Sequence, residues 1–314
     1  MYPPYSKEVR AFVKMKIEQT SNNAEIARQV KKIFDIEQPQ ESVRVWISGE
    51  RKRTTTKAKQ SPLKRLFFDI ETSYFTVRSW NIGKARWIDP AMMITQKQII
   101  CISYKWQYED VVHTLDWSKG EETMIRKFIK ILNTADEIIG HNGDRFDIRE
   151  LRTRCIAYGI KMFPNYRTLD TLKKARQYFK FPSNKLDYLG EYLQVGRKLD
   201  HEGIKLWIDV VENKSEKALA KMIAYCEQDV ILLGEVYTVL SPYITHNNNF
   251  AVLKGGEKWH CPECVSSNTI MNRTYSTPTG IIKRNMTCQN CGKHYHISNK
   301  SYIKMLQDLM FKSK

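Results

Sequence analysis

Three features that many proteins possess are missing from this chain of 314 residues. No apolar run reaches the ~18 residues that a membrane-spanning helix needs, so no membrane partner is expected. The opening residues, MYPPYSKEVR, lack a hydrophobic signal region, which predicts a cytoplasmic protein of a prokaryotic cell or of a virus in its host. The seven cysteines show no disulfide framework, and a reducing compartment fits their use.

Acidic residues are scarce at both ends of the chain. Residues 1–65 contain 15 Lys and Arg against 7 Asp and Glu, and residues 247–314 contain 10 against 3. The intervening segment is nearly balanced, and the whole chain carries a net charge of +17. Because Lys and Arg release the counterions condensed on phosphates, this distribution predicts binding to nucleic acid. Solubility alone is the alternative, which the clustering at both ends disfavours.

Residues 1–55 read as a small all-α domain. Two stretches with helical apolar spacing, SKEVRAFVKMKIEQT and AEIARQVKKIF, precede a polar turn and a third helical stretch, ESVRVWISGERKR. This order resembles a helix-turn-helix DNA-binding unit, in which the last helix enters the major groove. The resemblance implies that DNA is contacted by Arg44 and Arg51 on or near that helix and by Lys52 and Arg53 beside the backbone. Other three-helix bundles share the pattern, so protein contact or simple packing stays open.

A basic linker at residues 56–62 leads into a mixed segment at residues 63–246. Short apolar β-rich runs such as RLFFDIET, IICISYKW and EIIGHN alternate with helical stretches, which predicts an α/β fold with a mixed sheet and flanking helices. Asp170 follows one such run and is predicted to cap the helix that begins there, whereas Asp187 is predicted to lie on a helix surface.

Acidic residues in this segment recur at informative spacings. Asp69 and Glu71 lie on one face of a predicted strand, about 7 Å apart, and paired carboxylates suit hard divalent cations. Asp147 follows an apolar strand and opens a helix, where a capping role would also explain it. Tyr225 and Asp229 are four residues apart and therefore share one helix face.

The three motifs FDIET, GHNGDRFD and YCEQD, in this order, resemble those of the DEDD exonuclease superfamily. The tyrosine marks the DEDDy branch, and the Asn142 motif is similar to that of the exonuclease domain of family B DNA polymerases and its stand-alone relatives. The resemblance covers most of residues 63–246 and implies a ribonuclease H-like fold and 3′–5′ exonuclease activity. The remaining chain is too short for a polymerase as well.

The resemblance also implies a role for each residue in a two-metal mechanism. Asp69 would bridge two Mg²⁺ or Mn²⁺ ions, Glu71 and Asp229 would hold the ion that activates water, and Asp147 would support the other ion. Tyr225 would orient the water, and Asn142 would contact the substrate or brace the site. DNA is favoured over RNA because of the helix-turn-helix resemblance. An RNA-processing enzyme and a non-catalytic DNA-binding regulator are the alternatives, and the sequence does not identify protein partners.

Residues 257–298 contain two C-x-x-C pairs, Cys261 with Cys264 and Cys288 with Cys291. Four thiolates satisfy one tetrahedral Zn²⁺ ion of the structural type, and the intervening stretches read as a hairpin, so this segment resembles a zinc ribbon. A redox pair is the alternative. Residues 299–314 are predicted to form a basic tail helix. Nucleic-acid contact by this segment is predicted for three basic residues, Lys283, Arg284 and Lys293.

Overall fold

The computed structural model describes residues 7–19, 22–37, 39–40, 42–48, 63–80, 88–200, 202–245 and 248–310. The chain divides into two compact units, one comprising Met1–Pro62 and Val252–Glu257 and the other comprising Leu63–Ala251 and Lys258–Lys314. Among the described residues, no helix is both long enough and apolar enough to cross a membrane.

The described residues before Leu63 form three helices, α1 (Lys7–Gln19), α2 (Asn23–Phe34) and α3 (residues 42–48). Asn22 caps α2, because its side-chain oxygen accepts hydrogen bonds from the backbone amides of Ala24 and Glu25 at 3.1 and 3.2 Å. Apolar residues at helical spacing form a common core, consisting of Val9, Val13, Ile26, Ala27, Val30, Val43 and Ile47. Arg44 is exposed on α3. The other predicted DNA contacts, Arg51, Lys52 and Arg53, lie outside the described residues.

A five-stranded mixed sheet organises the second unit, with the order β5-β4-β1-β6-β7. Strands β1, β4 and β5 pair antiparallel, whereas β1, β6 and β7 pair parallel. The predicted mixed α/β sheet with flanking helices is confirmed. A separate small hairpin joins two further strands. The strands are β1 (Arg65–Thr72), β2 (Thr76–Val77), β3 (Met93–Thr95), β4 (Ile99–Trp106), β5 (His113–Asp116), β6 (Glu137–Gly140) and β7 (Thr168–Asp170).

Helices cover both faces of this sheet, and three single turns of 3₁₀-helix, at Pro90–Met92, Trp117–Lys119 and Ser241–Tyr243, join the elements. Asp170 caps α6 through hydrogen bonds from the backbone amides of Leu172 and Lys173, so its predicted capping role is confirmed. The helices are α4 (Glu121–Leu132), α5 (Asp147–Ala157), α6 (Thr171–Tyr178), α7 (Leu186–Tyr192), α8 (Ile204–Val211) and α9 (Glu216–Leu240).

The side chains of β1 alternate between the two faces of the sheet, so neighbouring residues pack against different helices. Leu66, Phe68 and Ile70 pack into a core with α4 and α5, whereas Phe67 packs into a second core with α9. Because successive strand residues point to opposite faces, Asp69 and Glu71 project to the side of the sheet that α9 covers. The acids of β1 therefore lie on the same side as the tyrosine and aspartate of α9.

The C-terminal segment forms a three-stranded antiparallel sheet with the order β10-β9-β8. We call this sheet together with its two cysteine turns and α11 the ribbon. Trp259, Met286, Ile297 and Met305 form its small core. Its elements, with the short helix α10 that precedes it, are α10 (Phe250–Leu253), β8 (Thr269–Ser276), β9 (Ile282–Cys288), β10 (His294–Ser298) and α11 (Asn299–Met310).

Candidate active site

Three carboxylates from two elements converge on one point. Asp69 and Glu71 leave β1, Asp229 leaves α9, and one oxygen from each lies within 4.8 Å of the others. Cys226, one turn before Asp229, packs beneath them with its sulfur 3.5 Å from the Asp69 carbonyl oxygen. Hard divalent cations take several carboxylate oxygens at short range, so the donor set fits Mg²⁺ or Mn²⁺.

Asp147 lies directly beside this cluster but is not one of its three converging members. It begins α5 with only 2% of its surface exposed, and its Oδ1 accepts a hydrogen bond from the backbone amide of Ile70 at 3.1 Å. The Asp147 carboxylate also accepts a hydrogen bond from its own backbone amide, so it serves the N-terminus of α5 and connects that helix to β1. Among the neighbouring charges, that of Asp147 raises the pKa of Asp69 the most. The fourth predicted acid is thus electrostatically part of the cluster.

Burial raises the pKa of all four acids, and repulsion by other acids of the cluster raises the pKa of Asp69 and Glu71 further. Burial is the largest cause for each of them, and it raises the pKa of Glu71 to about 8 and that of Asp147 to about 7. The pKa of Asp69 rises well above its ordinary value through burial and then through the charges of its acidic neighbours, and burial also raises the pKa of Asp229. Without metal, the cluster therefore holds protons that a bound cation would displace.

A lysine that sequence reasoning missed also reaches this cluster. Lys198 donates a hydrogen bond from Nζ to Asp229 Oδ2 at 2.5 Å and another to the Tyr225 hydroxyl at 3.3 Å. Burial disfavours its charged form, but the negative charges of Asp229 and Asp69 outweigh burial and raise its pKa, so the amine is protonated at neutral pH. The hydroxyl of Tyr225 also hydrogen-bonds to Asp229, its partner on the same face of α9.

The loop between α7 and α8 delivers Lys198, and side chains on two helices hold that loop. Asp187 accepts a hydrogen bond from the Lys198 backbone amide at 2.9 Å, and Gln228 donates to the Arg197 carbonyl oxygen at 3.1 Å. Asp187 lies on α7 with 38% of its side chain exposed, as predicted for a helix-surface residue, and it also anchors this loop. No local pattern in GRKLD distinguishes this lysine from a solvated one, so only the three-dimensional structure reveals it.

An open groove of about 730 Å³ borders the acids, and Lys198 lines one side of it. Asn142 lies in this groove at the turn after β6, where its left-handed φ of 69° is stabilised by a hydrogen bond from its backbone amide to Asp170. That turn is tight, since a Cβ at Gly140 would lie 3.1 Å from the Cα of Gly143. Among the charged side chains that line the groove, four are basic and one is acidic: Arg145, Arg176, Lys185 and Lys198 against Asp187.

His141 also lines the groove but is held in place on both ring nitrogens. Nδ1 lies 2.9 Å from the Thr171 hydroxyl, and Nε2 lies 2.9 Å from the Asn184 carbonyl oxygen. Burial lowers the pKa of His141 to about 4, so the ring is neutral at physiological pH. The histidine therefore connects the turn after β6 to the segment before α7 and contributes no charge to the groove.

The four ribbon cysteines form a second candidate metal site. The four sulfur atoms lie within 4.8 Å of one another, and the separations from Cys261 to Cys291 and from Cys264 to Cys288 are 3.6 and 3.5 Å. Tetrahedral Zn–S bonds place sulfur atoms about 3.8 Å apart, so this geometry fits one Zn²⁺ ion. Each pair is carried by a tight turn that closes on a residue with left-handed φ, Val265 in the first and Gly292 in the second. The predicted cysteine cluster is therefore formed.

A buried polar network joins the ribbon to the five-stranded sheet. Arg65 on β1 forms ion pairs with Glu137 at 2.7 Å and with Glu263 at 2.6 Å, and all three side chains are at most 5% exposed. Tyr237 on α9 donates a hydrogen bond to Glu263 at 2.8 Å. Since Glu263 lies between Cys261 and Cys264, the first cysteine turn is attached to the sheet that carries the acids.

Two of the three basic ribbon residues predicted to contact nucleic acid have other roles. Lys293 is 3% exposed and donates hydrogen bonds to the carbonyl oxygens of Ser241 and Ile244, so it attaches the ribbon to the end of α9. Arg284 donates two hydrogen bonds to the Asn299 side chain and lies over the Tyr302 ring, so it fastens α11 to β9. The prediction is wrong for Lys293, because packing buries its amine against backbone carbonyl oxygens, whereas for the half-buried Arg284 it stays a prediction.

Comparisons with known proteins found one family model and solved structures that are similar to part of this chain. Residues 91–241 match the model of the RNase H superfamily. Among solved structures, a family B DNA polymerase from the hyperthermophilic archaeon Pyrobaculum calidifontis is similar over 58% of this chain, with 17% sequence identity and a TM-score of 0.45. The region of similarity covers 25% of the polymerase chain. No curated protein matches the sequence.

The fold, the superfamily match and the site together define a class. A mixed sheet flanked by helices, a match to the RNase H superfamily and converging carboxylates are the features of a nuclease with a ribonuclease H-like fold. The fold class predicted from the three acidic motifs is confirmed. Such nucleases act on nucleic acid and use divalent metal ions.

Proposed function

We propose that this chain is a metal-dependent 3′–5′ exonuclease that hydrolyses phosphodiester bonds of DNA. The observation that carries the proposal is the convergence of Asp69, Glu71 and Asp229 within 4.8 Å, with Asp147 directly behind them. The order of the three acidic motifs along the chain supports the exonuclease assignment. The basic groove beside the acids supports a polyanionic substrate.

Each side chain of the site has a proposed task. Asp69, Glu71 and Asp229 would hold two Mg²⁺ or Mn²⁺ ions with support from Asp147, and the ions lower the pKa of water and stabilise the leaving oxygen. Tyr225 positions the attacking water through its hydroxyl, which lies at the edge of the cluster. Lys198, Arg145 and Arg176 would contact phosphate oxygens from the groove that they line.

The accessory parts have proposed roles in DNA binding and in folding. The N-terminal helices would hold DNA through the exposed Arg44 and through Arg51, Lys52 and Arg53. The four cysteines would bind one structural Zn²⁺ ion, because their sulfur separations fit a closed tetrahedral site. The core of the ribbon is small, so the metal would supply much of the free energy that folds it.

One assay tests the activity, the polarity and the sugar preference together. The purified full chain is incubated with Mg²⁺ or Mn²⁺ and 5′-labelled single-stranded DNA, duplex DNA or RNA, beside an Asp69→Ala control. A 3′–5′ exonuclease shortens the labelled strand stepwise, whereas immediate release of a labelled mononucleotide would contradict the polarity. Faster degradation of RNA than of DNA would reassign the substrate. Equal products from wild type and control would refute the enzyme assignment.

The tyrosine of the site should affect cleavage and not metal binding. Tyr225→Phe is expected to slow cleavage about 100-fold, since it removes one hydroxyl that positions the nucleophile. Its Mn²⁺-induced rise in melting temperature should equal that of wild type. Asp229→Ala, the matched control one helical turn away, should lose both cleavage and the Mn²⁺ response. Cleavage by Tyr225→Phe at the wild-type rate would show that the hydroxyl has no such role.

A further inference from the structure

The sheet of the ribbon has one covered face and one open face. Met286 on β9 and Ile297 on β10 point inward and pack against Trp259 and α11. Because strand side chains alternate, Lys283, Asn285 and Thr287 on β9 point outward. On β10, His294, His296 and Ser298 are exposed in the same way.

A β-bulge places the outward side chains of β8 in line with these. Met271 packs on the inner core, and the register shifts between Met271 and Arg273, so the residues after the shift change faces. Arg273 then pairs with Asn285, and Tyr275 pairs with Lys283. The open face therefore carries two aligned rows across the sheet, Arg273–Asn285–His296 and Tyr275–Lys283–Ser298.

Two rings and two cations lie side by side on this face. The Tyr275 hydroxyl lies 3.3 Å from His296 Nδ1, and the two rings meet edge to face with their centres 5.2 Å apart. Burial and then the charges of Lys283 and Arg273 lower the pKa of His296, which shows that both cations act on the ring. No Asp or Glu occurs on the strands of this sheet, all of whose residues the structure describes. In the described part of the chain, neither Arg273 nor Lys283 forms an ion pair.

We infer that this open face of the ribbon binds single-stranded nucleic acid, with Arg273 and Lys283 on the phosphates and the rings of Tyr275 and His296 stacked against bases. The inference rests on the proposed function, since the bound strand would belong to the substrate of the nuclease. A charged groove with aromatic platforms is the arrangement that holds unpaired strands, because every base has a π-face. In a duplex the faces of the bases are stacked on one another and are not accessible. The carboxylate side chains of an acidic protein segment have no ring that could stack. The occupant that matches both the charge and the rings is an unpaired strand.

Binding measured in a variant that cannot cleave tests this face separately from the active site. The full chain carrying Asp69→Ala is titrated into fluorescein-labelled single-stranded DNA of mixed sequence at several salt concentrations, without added Mg²⁺, and anisotropy gives the affinity. Arg273→Gln/Lys283→Gln should lower the affinity and reduce the slope of log K against log salt by about 1.4, because each phosphate contact on single strands contributes about 0.7. Tyr275→Ala should weaken binding about tenfold with an unchanged slope, whereas Tyr275→Phe should bind as the parent does.

The matched control removes two exposed cations of the ribbon segment that lie off this face. Lys258→Gln/Lys300→Gln should leave the salt slope unchanged, and zinc content and melting temperature show that every variant is folded. If Arg273→Gln/Lys283→Gln shows the same slope of log K against log salt as this control, the inference is overturned. A second result would also overturn the inference. If the parent binds a labelled poly-glutamate peptide, and the face variants lose this binding but keep their DNA affinity, the partner is an acidic protein segment. If the binding pattern is as expected but the wild-type chain shows no nuclease activity, only the proposed function is refuted.

Discussion

Asp69→Asn is expected to stabilise the magnesium-free protein while it abolishes cleavage. In the folded chain Asp69 is surrounded by Asp147, Glu71 and Asp229, and these charges together with burial raise its pKa. An amide of the same shape removes one member of this repulsive group. Cleavage should fall by about 10³-fold or more, because the variant loses one of the carboxylates that would hold the metal. The melting temperature without Mg²⁺ should rise by about 2–4 °C for each kcal/mol gained.

The pH dependence gives this expectation a definite sign. The pKa of Glu71 is about 8 in the folded state against its ordinary value of 4.5, so between these values the folded chain binds more protons than the unfolded chain. The contribution of Glu71 to the free energy of unfolding is therefore fully present below about pH 4.5 and is lost as the pH rises towards 8. Asp147, with a pKa of about 7, acts in the same direction. Without Mg²⁺, the wild-type melting temperature should fall over this range, and saturating Mg²⁺ should reduce the fall.

Thermal unfolding from pH 5 to 8, with and without Mg²⁺, measures both effects. Asp69→Asn should show a shallower pH dependence than wild type and little response to Mg²⁺. Asp110→Asn, at an exposed aspartate outside the cluster, provides the control and should behave as wild type does. A lower melting temperature for Asp69→Asn at pH 8, or a wild-type response of this variant to Mg²⁺, would contradict the role of Asp69 in a repulsive, metal-binding group.

Loss of the proposed zinc ion should destabilise the nuclease domain and not only the ribbon. In Cys261→Ser the first cysteine turn loses a ligand, and that turn holds Glu263 against Arg65. Breaking a buried ion pair by removing one partner costs about 3–5 kcal/mol, so the sheet that carries the acids should melt at a markedly lower temperature. Lys293 would lose its carbonyl contacts at the end of α9 in the same event.

Two further variants separate the metal from the ion pair. Glu263→Gln should retain about one zinc ion per chain but lower the melting temperature by less than Cys261→Ser, since the amide can keep one hydrogen bond to Arg65. Cys155→Ala, at a buried cysteine of α5 outside the cluster, should keep its zinc. Zinc content by metal analysis and unfolding followed by circular dichroism provide the measurements. An unchanged unfolding temperature of the nuclease domain in zinc-free Cys261→Ser would show that the two parts are not coupled.

Local periodicity made much of this fold and site predictable. The two-residue spacing of Asp69 and Glu71 puts both on one face of a strand, and the four-residue spacing of Tyr225 and Asp229 does the same on a helix. Asp170 was recognisable as a cap because it directly precedes a helix. In each case neighbours along the chain set the geometry, so the sequence carries the information without reference to distant segments.

The residues that sequence reasoning missed or misassigned all depend on distant partners. Lys198 reaches Asp229 across 31 residues because Asp187 and Gln228 hold its loop, and no local pattern reports those contacts. Lys293 looks like a surface cation, yet backbone carbonyl oxygens accept the hydrogen bonds of its amine.

By itself, the sequence determined the mixed α/β class, the residue pairs that share one face of β1 or of α9, and the paired cysteines, because each follows from spacings of a few residues. Only the tertiary structure decided which cations are free to meet a substrate. It placed Lys198 at the acids and buried Lys293, and it left Arg273 and Lys283 on an open sheet face beside two rings. The physical reason is that the role of a charged side chain depends on the desolvation and partners at its final position, which packing between distant segments sets.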